Sequence, residues 1–368
     1  MNTTALRGRR ALALAVAGLT LIALAGCAGT DPQEPGASGE PAAACAPEDI
    51  QLIGQVRNET NPYEKAWLDG GDAFAESVGL TQTRLTYDGE SPKQQDQLRQ
   101  ALSTGNPECM VLNILPNGDS DTTPIVKEAD AAGAYLVTHW NKPADLHPTD
   151  GYDTWISHIT FNGVDSGRQI AEAMIEEMGG EGGIIALQGI LDTSAAKDRF
   201  QGLQDALAEA PGVTLLDEQA ADFDRTTAFN ITKTLLTKHG DAITGVWAAN
   251  DDMALGALQA LEAAGRSGDV AVVGIDAVPE AVQAVADGTM TATVSVDGPW
   301  QGGIGLAMGY CALTGELDVA AMDADDRAFF AKQTLVTADN AEANLTPTAD
   351  LADFACGSLF DRFDGAVN

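Results

Sequence analysis

From Ile50 onward, short apolar runs alternate with segments whose apolar residues recur at helical spacing. The clearest unit runs from Gly245 to Asp276. Its apolar run, Gly245 to Ala249, stops at Asn250; Met253, Leu255, Leu258 and Leu261 then share one helical face, and Gly265 closes the helix. Val270 to Ile275 follows, apolar throughout, as a strand covered on both faces must be. This is a strand–helix–strand unit of a parallel sheet. Asn250 and Asp276 therefore fall on one rim, beyond the carboxyl ends of the strands, where open parallel sheets hold ligands.

The same alternation fills the rest of the chain. Strands are predicted at Gln51 to Val56, Thr83 to Tyr87, Met110 to Leu115, Tyr135 to Thr138 and Ile156 to Ile159, with helices between them. Ser91-Pro92 starts one of these helices, and Thr123 to Ala132 is another. Near Phe161 to Gly163 the pattern begins again and continues to a strand at Met290 to Val296. An apolar, Gly-rich helix then runs to about Leu313, an acidic loop follows, and Phe329 to Val336 reads as one late strand. The fold class expected is α/β: two doubly wound parallel-sheet domains joined by a multi-strand hinge. One lobe takes residues 48–161 plus 297–336; the other takes 162–296 plus 337–368 with its extension. Several crossings between two lobes suit a hinge.

The first residues change the picture of where the chain works. Residues 1–26 combine Arg7, Arg9 and Arg10 with an apolar run to Ala25, the build of a secretory signal. The run ends in Leu24-Ala25-Gly26-Cys27, which resembles a bacterial lipobox and implies that Cys27 is acylated. Residues 27–47, rich in Pro, Gly, Ala, Ser and acid, form a flexible tether. With 54 acidic residues against 20 basic ones, the net charge is −34, and losing the signal makes it more negative. Such a field repels nucleic acid and anionic headgroups, so membrane contact must come through the lipid. In an exported chain the four remaining cysteines favour disulfides, with three pairings possible. Cys45 and Cys109 each precede an apolar run, which puts both at the amino ends of neighbouring strands. Cys45–Cys109 is the pairing expected, and Cys311–Cys356 follows by remainder.

The chain resembles the bacterial periplasmic sugar-binding proteins of the ribose-binding type, the extracytoplasmic receptors of ABC importers. The resemblance covers roughly Ile50 to Thr337. It rests on Asn61-Pro62-Tyr63 with Gly70 beyond it, on Thr193-Ser194-Ala195-Ala196 with Arg199, and on Ala221-Asp222-Phe223-Asp224-Arg225. Ala249-Asn250-Asp251-Asp252-Met253 and Val273-Gly274-Ile275-Asp276 complete it, in order and at the family's spacing. It implies a type I periplasmic binding-protein fold with the sugar between the domains. It places Asn61, Tyr63 and Glu64 from the first domain at the ligand, and Arg199, Phe223, Asn250 and Asp276 from the second. Ionised Asp accepts from neighbouring hydroxyls, Asn offers donor and acceptor, and Arg adds charge-assisted donors. Tyr63 and Phe223 suit the apolar C–H faces of a sugar ring. Where the family carries Asp-Arg after the fourth strand, this chain has Trp140-Asn141; Leu115-Pro116-Asn117 replaces an Asn-Pro, and a Gln near Val296 is absent. Aromatic surface has replaced charge, which points away from ribose itself and toward another monosaccharide, a polyol or a small glycoside.

On residue preference alone Asn250 is a helix N-cap and Asp276 a turn residue; both roles are compatible with a ligand rim. Trp67 and Trp300 read as core. Enzyme signals are poor: the four histidines lack HExxH spacing, and there is no GxSxG elbow or P-loop. Asp318, Asp323, Asp325 and Asp326 lack the Gly and terminal Glu of a calcium loop. The expectation is a monomeric, non-catalytic lipoprotein without cofactor or metal, lipid-anchored outside the cytoplasm, that delivers a sugar or polyol to an ABC permease. The alternatives are a sensory module that presents its ligand to a receptor or sensor kinase, and an extracellular glycoside hydrolase. A DNA-binding regulator of related fold is least favoured, because signal, tether and acidity stand where a helix-turn-helix would be needed.

Overall fold

The computed structural model describes residues 45–345 and 350–367. The signal, Cys27 and nearly all of the tether lie outside the described residues. The first array runs β1 (Gln51–Val56), α1 (Pro62–Ser77), β2 (Gln82–Thr86), α2 (Ser91–Thr104), β3 (Met110–Ile114), α3 (Asp119–Ala132), β4 (Tyr135–His139) and β5 (Trp155–Thr160). The second runs α4 (Gly163–Glu177), β6 (Gly182–Gln188), α5 (Ser194–Glu209), β7 (Val213–Ala220), α6 (Arg225–His239), β8 (Ile243–Ala248), α7 (Asp251–Ala263), β9 (Ala271–Asp276), α8 (Pro279–Ala286) and β10 (Ala292–Ser295). After it come α9 (Gly298–Leu313), β11 (Ala328–Ala331), β12 (Thr334–Val336) and β13 (Phe363–Ala366).

Two sheets result, ordered β13-β11-β5-β4-β3-β1-β2 and β12-β10-β9-β8-β6-β7. Every pairing is parallel except β10 with β12 and β11 with β13, at the sheet edges. Strands β3 and β9 are buried at every position, because helices cover both faces. The fold is the α/β, two-sheet type I arrangement of periplasmic binding proteins. Trp67 and Trp300 are core residues, buried completely or nearly so.

Helix α9 carries the chain back onto the first sheet and packs so closely on α1 that only glycines fit. A Cβ on Gly70 would lie 1.8 Å from the Pro299 carbonyl oxygen, and one on Gly302 would lie 1.6 Å from that of Trp67. Backbones in such contact exclude every larger residue. The disulfides are Cys45–Cys109, beside the starts of β1 and β3, and Cys311–Cys356.

The late part of the chain differs from the boundaries expected. Residues 329–336 are not one strand: β11 adds to the first sheet, and two residues later β12 adds to the second. Nor does the stretch 337–368 belong wholly to the second lobe. Residues 341–344 pack on α8, but residues 351–354 lie on α1 and α9, and β13 closes the edge of the first sheet. The physical reason lies in the bond to Cys311, which sits on α9 and so holds Cys356 on the first lobe.

Candidate functional site

The carboxyl ends of both sheets face one cleft. Its walls are Arg57, Asn61, Tyr63, Glu64, Leu115, Trp140 and Asn141 from the first lobe, and Ala195, Arg199, Phe223, Asn250 and Asp276 from the second. All nine residues expected at a ligand therefore share this space, about 440 Å³ with its mouth included.

On the first lobe, Asn61 caps α1: its side-chain oxygen accepts from the backbone N–H of Tyr63 at 2.9 Å and of Glu64 at 3.3 Å. Glu64 accepts from the Asn58 N–H at 2.7 Å. Burial pushes its carboxyl up to about 7, against the opposing pull of Arg57 and that N–H. The Tyr63 hydroxyl donates to Gln301 and accepts from the Trp140 indole N–H at 2.8 Å. Both of its hydrogen-bonding directions are thus used within the protein, and burial raises the phenol well above its ordinary value. Trp140 stands just past β4 in a left-handed backbone conformation, φ 64°. Its ring leans on Phe161 at 5.4 Å and carries the Arg199 guanidinium at 4.6 Å. That cation–π contact joins the two lobes. Asn141 donates to the Pro116 carbonyl at 2.8 Å, while its side-chain oxygen is buried without a partner.

On the second lobe, Arg199 projects from α5 and is only 3 % exposed. It donates to the Ala249 carbonyl at 2.7 Å, leaving Nε unpartnered. Burial lowers its pKa, and Asp276 counters that most among the nearby acids. Asn250 does cap α7, accepting from Met253 N–H at 3.1 Å, while its amide donates to Asp276 at 3.4 Å. Asp276 is 8 % exposed and sits at φ 132°, with Ala277 at φ 53° after it. Two such residues in succession make a strained turn, the kind that recurs at ligand sites. Burial drives the Asp276 carboxyl well above the usual carboxylate range, Arg199 opposing and Asp251 adding to it. Asp251 holds the turn from beneath, accepting from Thr293 at 2.7 Å and from Val278 N–H at 2.9 Å. Phe223 follows Asp222, both left-handed. Its ring lies where a Cβ on Gly189 would be, 2.0 Å from that position.

Two residues at or beside the site were not picked out from sequence. Arg57, immediately after β1, reaches across to the Asp222 carbonyl at 3.4 Å, and its guanidinium lies 6.0 Å from the Phe223 ring. A charged residue one step past an apolar strand was the available signal. Asp119, at the start of α3, accepts from both the backbone N–H and the hydroxyl of Ser194 at 2.7 Å, and pairs with Lys197 at 2.8 Å. This clasp spans the lobes at the amino end of α5. The described residues include no group of three or more His, Cys, Asp or Glu placed to hold a metal ion.

Two hinged α/β lobes whose polar side chains converge on a shared cleft define a solute-binding protein of the clamshell class. The chain belongs to the periplasmic binding-protein domain family, whose model matches residues 56–317. The ribose import binding protein of Escherichia coli K12 is 36 % identical over 253 residues, 68 % of this chain and 80 % of that protein. The xylitol-binding protein of Mycolicibacterium smegmatis is 29 % identical over 316 residues, 86 % of this chain and 83 % of the other. Among solved structures, a twin-arginine translocation pathway signal protein from Burkholderia phytofirmans superposes with TM-score 0.83 and 38 % identity, covering 87 % of this chain and 99 % of that one. No described helix is long and apolar enough to cross a membrane.

Proposed function

We propose that this chain is an extracytoplasmic lipoprotein, acylated at Cys27, that captures a neutral monosaccharide or polyol between its lobes and hands it to an ABC permease. The observation that carries the ligand reading is the set of buried polar atoms without partners at the cleft: Asn141 Oδ1, Arg199 Nε and Arg57 Nε. Buried polar groups are normally paired, so unpaired ones lining one space favour a ligand rich in hydroxyls. Asp276, Asn250, Asn61 and Glu64 add acceptors and donors around it, and Phe223 an apolar edge. Trp140 acts as a wall, since one side of its ring meets Phe161 and its face carries Arg199. Loss of one ligand hydroxyl would leave a buried group unpaired, which makes such a site selective. Relatives named for ribose, xylitol and D-apiose support the substrate class.

Thermal-shift screening against sugars and polyols tests this reading. A stabilised melt with at least one of them is expected; silence across that panel, with nucleosides or amino acids shifting the melt instead, refutes it. For the anchor, Cys27→Ser is expected to release the protein from the membrane fraction into the soluble one. Unchanged fractionation would refute acylation at that residue.

A further inference from the structure

Residues 351–366 form a strap that is fixed to the first lobe along its length. Phe354 meets Phe74 of α1 at 5.8 Å and fills the space over Gly303, where a Cβ would lie 2.2 Å from its ring. Cys356 is bonded to Cys311 of α9, and Phe360 and Phe363 pack on Phe329 of β11 at 6.1 and 5.7 Å. Arg362 lies inside this run and points at the hinge.

Among the described residues the chain crosses between the sheets just after β5, just after β10, and between β11 and β12. Arg362 engages the second and third crossings and is one ring away from the first. Its guanidinium pairs with Asp297, which follows β10, and with Asp353 of the strap at 2.6 Å. Its carbonyl accepts from the Lys332 N–H at 2.9 Å, and Lys332 Nζ donates to the Asp361 carbonyl at 3.0 Å. The guanidinium also lies 5.0 Å over the Trp300 ring, which meets Phe161, the residue after β5, at 6.5 Å. Asp297 has reason to be held: it sits at φ 39°, outside the range most side chains adopt, and its other oxygen caps α9 through the Trp300 N–H at 3.1 Å. None of these residues lines the cleft.

We propose that the strap is a splint for the hinge, with Arg362 its positioning residue. By fixing the first-lobe ends of the crossings, it confines opening and closing to a narrow arc. Hinges work through a few residues that absorb the backbone change, so clamping one end decides which bonds those are. The affinity of a two-state clamshell scales with the population of its competent form, so a residue remote from the ligand sets retention.

The test is double electron–electron resonance on the full-length protein in detergent, without ligand, so that its outcome is independent of ligand identity. Nitroxides on keto side chains at the exposed positions Ala144 and Leu191, one per lobe, leave the native disulfides intact. Arg362→Met should broaden the interlobe distance distribution about twofold, while Arg362→Lys, which keeps the pair with Asp297, should broaden it less. A Met distribution superimposable on wild type overturns the proposal. So does broadening accompanied by an equal loss of hydrogen-exchange protection throughout the first lobe, which would mean general loosening. If the Met variant fails to fold, Asp353→Ala, which removes only the outer anchor of the guanidinium, is read the same way: a broadened distribution supports the splint and an unchanged one overturns it.

Discussion

Asp119→Ala removes the clasp that joins α3 of one lobe to the start of α5 in the other. The carboxylate accepts from the Ser194 N–H and hydroxyl, each at 2.7 Å, and from Lys197 Nζ at 2.8 Å. The Lys197 ammonium is 53 % exposed, so that pair adds only up to ~1 kcal/mol. The two Ser194 bonds end on a charge and one comes from a helix amino terminus; together they contribute about 1.5 kcal/mol once solvent competition is allowed for. In an open clamshell both partners return to water, so the whole term, roughly 2 kcal/mol, falls on the closed form. Ligand affinity should drop about 30-fold, carried by faster dissociation. Titration calorimetry with a carbohydrate found by the thermal-shift panel measures it. Lys197→Ala serves as the control and should cost at most about fivefold. If Asp119→Ala binds within about twofold of wild type while melting normally, the clasp contributes nothing to closure and the reasoning fails.

Asp276→Ala should abolish measurable binding while leaving the circular dichroism spectrum and melt close to native; retained affinity would remove Asp276 from the site. Gly70→Ala should destabilise the first lobe by ~3 kcal/mol or prevent folding, because the new methyl collides with the Pro299 backbone; a melt within a degree or so of wild type would contradict the packing of α1 on α9. His139 is fully enclosed, and burial pulls its imidazole down to about 3 from an ordinary value near 6.5. The folded state thus binds fewer protons than the unfolded one between those values, so stability present above about pH 6.5 is lost as pH falls toward 3. Denaturant melts of His139→Gln should therefore lose less stability than wild type between about pH 7 and about pH 5, and parallel losses would refute the assignment.

The rim built by Asn250 and Asp276 was legible because each polar residue ends an apolar run, and strand periodicity alone puts both at the same end of a sheet. The importance of Gly70 was visible as spacing, yet its cause was not: the atom it must avoid belongs to Pro299, brought there only by tertiary folding. Helix α3 begins four residues before the expected Thr123, since Pro124 reads as a starting signal. Asp121 instead closes the first turn, accepting from Gly118 N–H at 3.1 Å. That early start is what sets Asp119 against Ser194 and Lys197, and so the clasp went unseen. Strands β12 and β13, of three and four residues, are too short for alternation to register. The covalent link to Cys311 was the one local hint of where the tail goes.

Asn250 stands two residues past a strand, caps a helix and lines the cleft, all with one amide side chain. Drift at that position is therefore penalised twice, once in folding and once in recognition, and should be slow. The loop carrying Trp140 and Asn141 begins no helix. Descendants of this gene that acquire new nutrients should have changed there first.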